Sequence, residues 1–460
     1  GPRGEDDGVS CGKKGHSGVG GTVSGFGHSR ATSFTSAGTL ATGDTSDFAV
    51  GFGNGINVSD STALSATIAA VRTPPGVALS PTSIKLPAGD VGAHQLTITG
   101  LVGGDTVRVE KFLDFNGNES VDTNQDLLVQ SFTVTDGQAP IFQGIRNTSQ
   151  PGDDDGMPNG AITILLNAAA GSELNRIGAD YIYRVTNLAD PTASTTMSLA
   201  VSQPAYSQQV SGTVVGGGSA VIMLLDATVP GGGFVGGTVA DAMGNYTIPA
   251  PVGRYRVAVA TPGRVASNSP VVTLGSGLTA VQNVDTIATT RTIFGRLSDP
   301  ATGSPLAGVE VLVRSTNGFI TTTATDGNGG FSAGVTAGIW TIEASRESLA
   351  VLGFYAPDSL GSVDVTTALA AGREFQLQHG DSLIYGQLTD NRALPVPGVR
   401  VDADSNDSDN LQAFGLTDTN GNYSLRVGSN RNWNVRTEPG DLARLGLVAP
   451  GQINILNNNS

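Results

Sequence analysis

The chain has 460 residues, of which 64 are glycine and only 14% are charged, with a formal net charge of −15. That length implies several domains, and the regular spacing of its apolar runs excludes a disordered chain. The acidic balance, with no basic stripe, excludes nucleic acid as a partner and argues against anionic membrane surfaces. No apolar run approaches the ~18–20 residues of a membrane span. Short apolar runs between Gly, Asn, Asp and Pro clusters predict an all-β chain of many short strands and tight turns.

In chain order, residues 1–72 are a Gly/Ser/Thr-rich N-terminal extension that reads as a linker or tail. Its short alternating pieces, such as "DFAVGFGNG" and "SATIAAV", have no obvious domain of their own. It holds Cys11, the single cysteine, so no disulfide forms within the chain; a free thiol and an intermolecular disulfide both stay open. No signal peptide is visible, so the chain reads as mature or trimmed, and the initial Gly-Pro is compatible with a protease scar.

"RTPPG" at 72–76 marks a boundary. Residues 73–206 follow with strand-like runs, among them "HQLTITGL", "DTVRVEKFLDF", "AITILLN" and "DYIYRVTNL", and resemble an Ig-like sandwich of a secreted bacterial protein. This region carries the candidate site, "DFNGNESVDTNQD" at 114–126. Asp114, Asn116, Asn118 and Asp122 stand at offsets 1, 3, 5 and 9 of a calcium loop, and Asn124 and Asp126 extend the series. Alternate residues supply oxygens to one centre because the chain curls around the ion. The loop departs from the EF-hand pattern, with Glu119 where Gly is expected and Gln125 in place of the bidentate Glu. The expectation is a structural calcium ion held by Asp114, Asn116, Asn118, Asp122 and Asp126, with a plain acidic turn as the alternative. "GDDDG" at 152–156 is placed to add ligands, while "DADSNDSDN" at 402–410 reads as a solvated loop.

From residue 207 the chain repeats itself. "ADAMGNY", "TDGNGGF" and "TDTNGNY" place Gly244, Gly329 and Gly421 85 and 92 residues apart. Each Gly has an Asp three residues before it and an aromatic two residues after it: Asp241 and Tyr246, Asp326 and Phe331, Asp418 and Tyr423. About thirty residues upstream lies a Gly within a strand (Gly212, Gly295, Gly386), and downstream a second aromatic (Tyr255, Trp340, Trp433). Such a period marks duplicated units. The Asp carboxylate is suited to closing an Asx-turn, and the Gly to the positive φ of a short hairpin loop. The first aromatic then points inward to meet the second across the core of a small sandwich.

The order G-x-[VL], G-V-x-V, T-D-x-x-G-N-[YF], G-x-[YW]-x-[VI] resembles the carboxypeptidase regulatory-like family, which has a transthyretin-like seven-stranded sandwich. It is also similar to the B-type repeats of bacterial surface adhesins. "PLAGVEVLVRS" at 305–315 and "PVPGVRVDAD" at 395–404 fit the second strand of that family, whereas "GGGSAVIMLL" departs from it in the first unit. The resemblance implies three such domains, 207–288, 289–380 and 381–460, beyond the Ig-like one. It speaks for a fold and hardly for a function, since the family's name records attachment to peptidases.

No catalytic constellation is visible. His16, His28, His94 and His379 have no metal-ligand spacing, and "GVSCG" and "GGGFVG" match nucleophile and dinucleotide motifs by letter only, without the flanking strand or helix. The reading is therefore a non-enzymatic, extracellular or cell-surface structural protein of a bacterium. Its leading role is subunit of a filament made of copies of itself. The alternatives are an adhesin or stalk presenting a binding tip and a carbohydrate-binding module, with any surface or glycan ligand unnamed. The only lysines are Lys13, Lys14, Lys85 and Lys111, so the three repeats lack the lysine that the isopeptide-locked pilins with similar domains use. Any polymer is then non-covalent. The last unit is short after Trp433 and is expected to leave an unpaired edge, which a strand from residues 1–72 of the next subunit covers or completes.

Overall fold

Alternating apolar and polar residues, rich in branched side chains, favour half-buried strands. Nearly all the regular structure of this all-β chain is built from them. The computed structural model describes residues 8–14, 21–24 and 45–50, and residues 73–457 except 87–92, 124, 168–171, 217, 229–232, 262, 267–269 and 317–318. The helices among these residues are Arg346–Leu352, Pro439–Arg444 and the 3₁₀ turn Glu173–Arg176. None is long and apolar enough to cross a membrane.

The chain divides into two units, Gly1–Val71 and Arg72–Ser460. In the first, the backbone of Gly8–Lys14 lies between Gly21–Ser24 and Thr45–Val50 in an antiparallel sheet. These pieces, for which the sequence suggests no domain, thus pair with one another. Cys11 sits on the middle strand, opposite Phe48 and Gly21 in the register. "SATIAAV" lies outside the described residues.

The second unit is a tandem of β-sandwiches. In the first, Ala93–Thr99 lies between Gly76–Ser80 and Ala161–Asn167. The facing sheet runs Ser83–Lys85, Ser194–Ser202, Ala179–Asn187, Thr106–Leu113, Leu127–Thr135. Leu96, Ile98, Ile162 and Ile164 meet Val107, Val109, Leu113, Tyr181 and Leu199 between the layers. This core continues into Val221, Met223, Ala258 and Ala260 of the next sandwich and takes in Val351 from the helix Arg346–Leu352.

The three following sandwiches share one plan. The fullest has Arg291–Ser298 between Gly330–Val335, antiparallel, and Ala370–Gln376, parallel. Its other sheet runs Ile320–Ala324, Glu310–Ser315, Ile339–Ala344, Gly361–Asp364. In the one before it, Gln209–Val215 pairs antiparallel with Asn245–Pro249 and parallel with Thr279–Val281 and Val284–Ala288. In the last, Ser382–Gln387 pairs among the described residues with Asn422–Val427 alone. The opposite sheet places Arg431–Thr437 between Arg400–Ser405 and Ile453–Asn457, with Leu411–Leu416 beyond. "QINIL" therefore closes one edge, and no described strand stands in the parallel position beside Ser382–Gln387. Phe354–Pro357, which follows the helix of the preceding sandwich, crosses over and pairs with Leu411–Leu416.

The repeated phrase builds one hairpin three times. Asp326 Oδ1 accepts from the backbone N–H of Asn328 (2.8 Å) and Gly330 (2.9 Å), and Asp241 and Asp418 make the equivalent pairs. Gly244, Gly329 and Gly421 hold φ of 84°, 73° and 73°, where a side chain is strained. The upstream glycines have a different cause. A Cβ on Gly212, Gly295 or Gly386 would lie 3.1, 2.6 or 2.7 Å from the ring or hydroxyl of Tyr246, Phe331 or Tyr423, so the first aromatic folds over the bare backbone. The expected meeting of first and second aromatics is not among the ring contacts of the described residues. Phe331 stacks instead on Phe375, with centroids 6.4 Å apart, and Trp433 meets Tyr355 edge-on at 5.8 Å. The second aromatics tie down their own turn: Tyr255 Oη donates to Pro251 O, Trp340 Nε1 to Thr336 O and Trp433 Nε1 to Gly428 O, at 2.6, 2.9 and 3.0 Å.

A buried ionic cluster joins the sandwiches. Arg400 donates from Nη1 to Glu347 Oε1 at 2.8 Å and from Nε to Asp402 at 3.0 Å, and Arg346 lies 3.6 Å from Asp402. Burial alone would raise Glu347, but Arg400 and Arg346 outweigh it and hold its carboxyl below the ordinary range. Glu310, only 3% exposed, takes a bond from Thr322 Oγ1 to Oε1 (2.8 Å). Burial, and then the nearby Glu173, push its pKa up to about 8.

Candidate functional site: an acidic loop and an open sheet edge

The acidic loop hangs between the strands Thr106–Leu113 and Leu127–Thr135, a hairpin whose register slips at Lys111/Phe112. The chain curls tightly there because Gly117 and Glu119 take φ of 68° and 58°. Asp114 Oδ1 accepts from the N–H of Asn116 (3.2 Å) and Gly117 (2.7 Å), and Oδ2 from Glu119 (2.9 Å). Asp122 Oδ2 receives the side-chain amides of Asn116 (3.1 Å) and Asn118 (2.8 Å). Asp126 Oδ2 accepts from Asp122 N at 2.7 Å, and its Oδ1 from Phe115 N at 3.3 Å. All five sequence-derived residues thus converge on one loop; Asn124 lies outside the described residues. Burial raises the Asp126 carboxyl despite those two backbone bonds, and the charges of Asp114 and Asp122 add to the rise.

The carboxylates are spent on organising the loop itself, as an Asx-turn series does. Among the described residues no group of three or more His, Cys, Asp or Glu is arranged to hold a metal ion. The neighbouring acidic stretches are also engaged. Asp153 accepts from Gly137 N (2.8 Å) and Thr163 N (3.2 Å), and Asp155 from Met157 N at 2.8 Å. Asp154 pairs with Arg146. In the 402–410 stretch, Asp404 pairs with Arg436 at 2.9 Å, and Asp407 and Asp409 with Arg431. The stretch is not the solvated loop expected: its first half belongs to the strand Arg400–Ser405, with Asp402 and Ala403 buried, and only the turn at 406–410 is largely exposed.

The second feature is the edge of Ser382–Gln387. Its partner strand Asn422–Val427 is covered on the far side by the first sandwich: Thr148 N donates to Ser424 Oγ at 2.7 Å, and Ser149 Oγ to Ser424 O at 2.6 Å. Beside Ser382–Gln387 no described strand pairs. Tyr385 is 57% exposed there. The sequence pointed to a shortened last unit but not to which edge it leaves open.

Solved structures similar to this chain include the Bacillus anthracis TIE protein, at 12% identity over 84% of this chain and 72% of that one, with a TM-score of 0.19. Others are a streptococcal ancillary pilin (13% identity, 61% and 94% covered, TM-score 0.17) and the minor pilin of Streptococcus agalactiae (11%, 40% and 100%, 0.17). No protein-family model matches the chain, and no curated protein is significantly similar to it. At these scores the likenesses carry no weight beside the strand pairing described above.

Proposed function

We propose that this chain is a non-enzymatic structural subunit of an extracellular bacterial filament, joined to copies of itself head-to-tail by strand addition. The observation that carries the reading is a pair of strand relations. Phe354–Pro357 already leaves its own sandwich to extend the sheet of the next. In the last sandwich, in turn, no described strand takes the edge that its two predecessors fill with a parallel strand. Unpaired edges are templates for another chain, and a head-to-tail contact that does not close gives a fibre. In this reading residues 1–72 of one subunit cover or complete a sandwich of the next. Residues 73–206 act as an Ig-like module, and 207–288, 289–380 and 381–460 as carboxypeptidase regulatory-like modules. The strand plan shared by the last three, with its Asp–Gly–aromatic hairpin, supports that division.

The loop at 114–126 is a structural calcium site in this reading, held by Asp114, Asp122 and Asp126 with the amide oxygens of Asn116 and Asn118. The convergence of all five on one tight loop supports it. Electron microscopy of the full chain in calcium, beside a chain lacking residues 1–72, tests the assembly. Fibres from the first and monomers from the second are expected. Discrete rods from the full chain would replace the filament by a stalk. For the ion, calorimetric titration of the full chain with calcium is expected to show one site that Asp122→Ala removes, and an absence of heat would leave a plain acidic turn.

A further inference from the structure

Alternation along the strand Asn422–Val427 sends Leu425 and Val427 into the core of the last sandwich, where both are fully buried, and turns Ser424 and Arg426 outward. That outward face meets the first sandwich. Ser424 is clamped by Asn147, Thr148 and Ser149. Two residues on, the Arg426 guanidinium lies over the Phe142 ring, 3.7 Å from its centroid. A cavity of about 270 Å³, partly open to solvent, is left between these groups and the end of the helix Arg346–Leu352. Phe132, Ile141 and Phe142 line it from the first sandwich, and Val351 and Leu352 from the helix.

Among the described residues of this wall Arg426 is the one charged side chain, and it is only 8% exposed. Arg184 and Arg400 each meet a carboxylate at 2.8 Å, Glu110 and Glu347. Arg426 makes no such pair among the described residues. Its Nη2 donates to Gly380 O and lies 3.4 Å from His379 Nδ1, and its Nε is buried without a hydrogen-bond partner. Burial lowers its pKa from the ordinary arginine value, and the charge of Asp381 only partly offsets this. A buried guanidinium without a counter-charge is costly, and an anion brought to it relieves that cost. The polar neighbours cannot answer the charge: Asn147 Nδ2 donates to Gln150 Oε1 at 2.5 Å, and Asn147 Oδ1 accepts from Ser424 Oγ at 2.8 Å.

We propose that this cavity binds a small carboxylic acid with an apolar body, its carboxylate on Arg426 and its hydrocarbon against Phe132, Phe142 and Leu352. The planar fork of a guanidinium matches a carboxylate, and its stacking on Phe142 fixes the plane of that fork. A phosphate fits less well, because its higher charge meets a single cation here and otherwise apolar walls. The volume lies just below the roughly 300–1,000 Å³ of sites for drug-sized ligands, so the body is short. The site does not depend on the filament reading, since every group in it belongs to one chain.

The test uses the full chain and ligand-observed saturation-transfer NMR with benzoate and hexanoate, each beside its neutral counterpart, benzyl alcohol and 1-hexanol. At least one acid should bind, and its alcohol should bind roughly tenfold more weakly or worse. Arg426→Gln should lower the affinity for the acid by a similar factor and leave that for the alcohol unchanged. Arg426 also holds Gly380 O, so a second variant is needed in case the first fails to fold. Thr133 is exposed and lines the cavity at its rim. Thr133→Trp should fill the mouth and abolish binding of acid and alcohol alike, with the melting temperature unchanged. The proposal is overturned if neither acid binds, if the alcohols bind as well as the acids, or if Thr133→Trp binds the acid as the original does. N-acetyl-Phe-Phe separates the two sources of such a carboxylate. Binding weaker than that of benzoate is expected, and tighter binding would overturn a free acid in favour of a peptide terminus.

Discussion

Glu310→Gln is the most informative single change in the ionic cluster. Glu310 is buried and faces Glu173 and Glu347, and burial, then Glu173, push its pKa up to about 8 from an ordinary value near 4.5. Its folded pKa lies above its unfolded one. Its stabilising protonated form is therefore fully present below pH 4.5, and that contribution is lost as pH rises through the folded value. Each unit of difference is worth about 1.4 kcal/mol, so the loss on full ionisation is on the order of 5 kcal/mol. The glutamine amide keeps an oxygen for Thr322 Oγ1 and cannot ionise. Thermal melting of the two proteins from pH 4 to pH 9 should show little difference at the acid end. The variant's advantage should widen from pH 5 and level off above pH 8. A difference that stays flat with pH, or a wild-type chain that gains on the variant as pH rises, would refute the account of Glu310 as a carboxyl kept neutral by burial.

Three further outcomes follow from the packing. Arg400→Met removes the 2.8 Å partner of the buried Glu347 and leaves Asp402 only Arg346 at 3.6 Å, and should destabilise the 72–460 unit by about 3–5 kcal/mol. Part of that loss should return as acid neutralises Glu347, which urea unfolding at pH 4 and pH 7 would register. Trp433→Ala empties a fully buried site and breaks the bond to Gly428 O, at a cost of about 3–5 kcal/mol in chemical unfolding. Gly329→Ala forces a Cβ to 2.4 Å from Leu297 O at φ 73°, and should lower the melting temperature more than Gly303→Ala, which has the same sign of φ but open space.

Sequence patterns foretold local structure well and tertiary relations poorly, for a physical reason. The Asp–Gly–aromatic hairpin is a short-range device, closed by bonds from Asp326 to residues two and four positions on, so its signature lies within seven letters. The same holds for the curl of 114–126. The role of Gly295 was hidden because what presses on it, Phe331, lies across a sheet. So was the crossing of Phe354–Pro357, because the sequence carries no mark of which sandwich a strand will join. The ionic cluster was invisible for a similar reason: Arg400 stands in a different predicted domain from Glu310 and Glu347, and the burial of the three depends on how those domains abut.

The parallel pairing of Arg291–Ser298 with Ala370–Gln376 has a mechanical meaning. These are the first and last strands of their sandwich, and seven residue pairs join them. Tension applied through the chain at both ends pulls such strands past each other lengthwise, so the bonds bear load together rather than opening one by one. The last sandwich has no such clamp within itself, only the antiparallel Ser382–Gln387 and Asn422–Val427. Stretched as it stands in this chain, in an optical trap, it should yield at lower force than its neighbour.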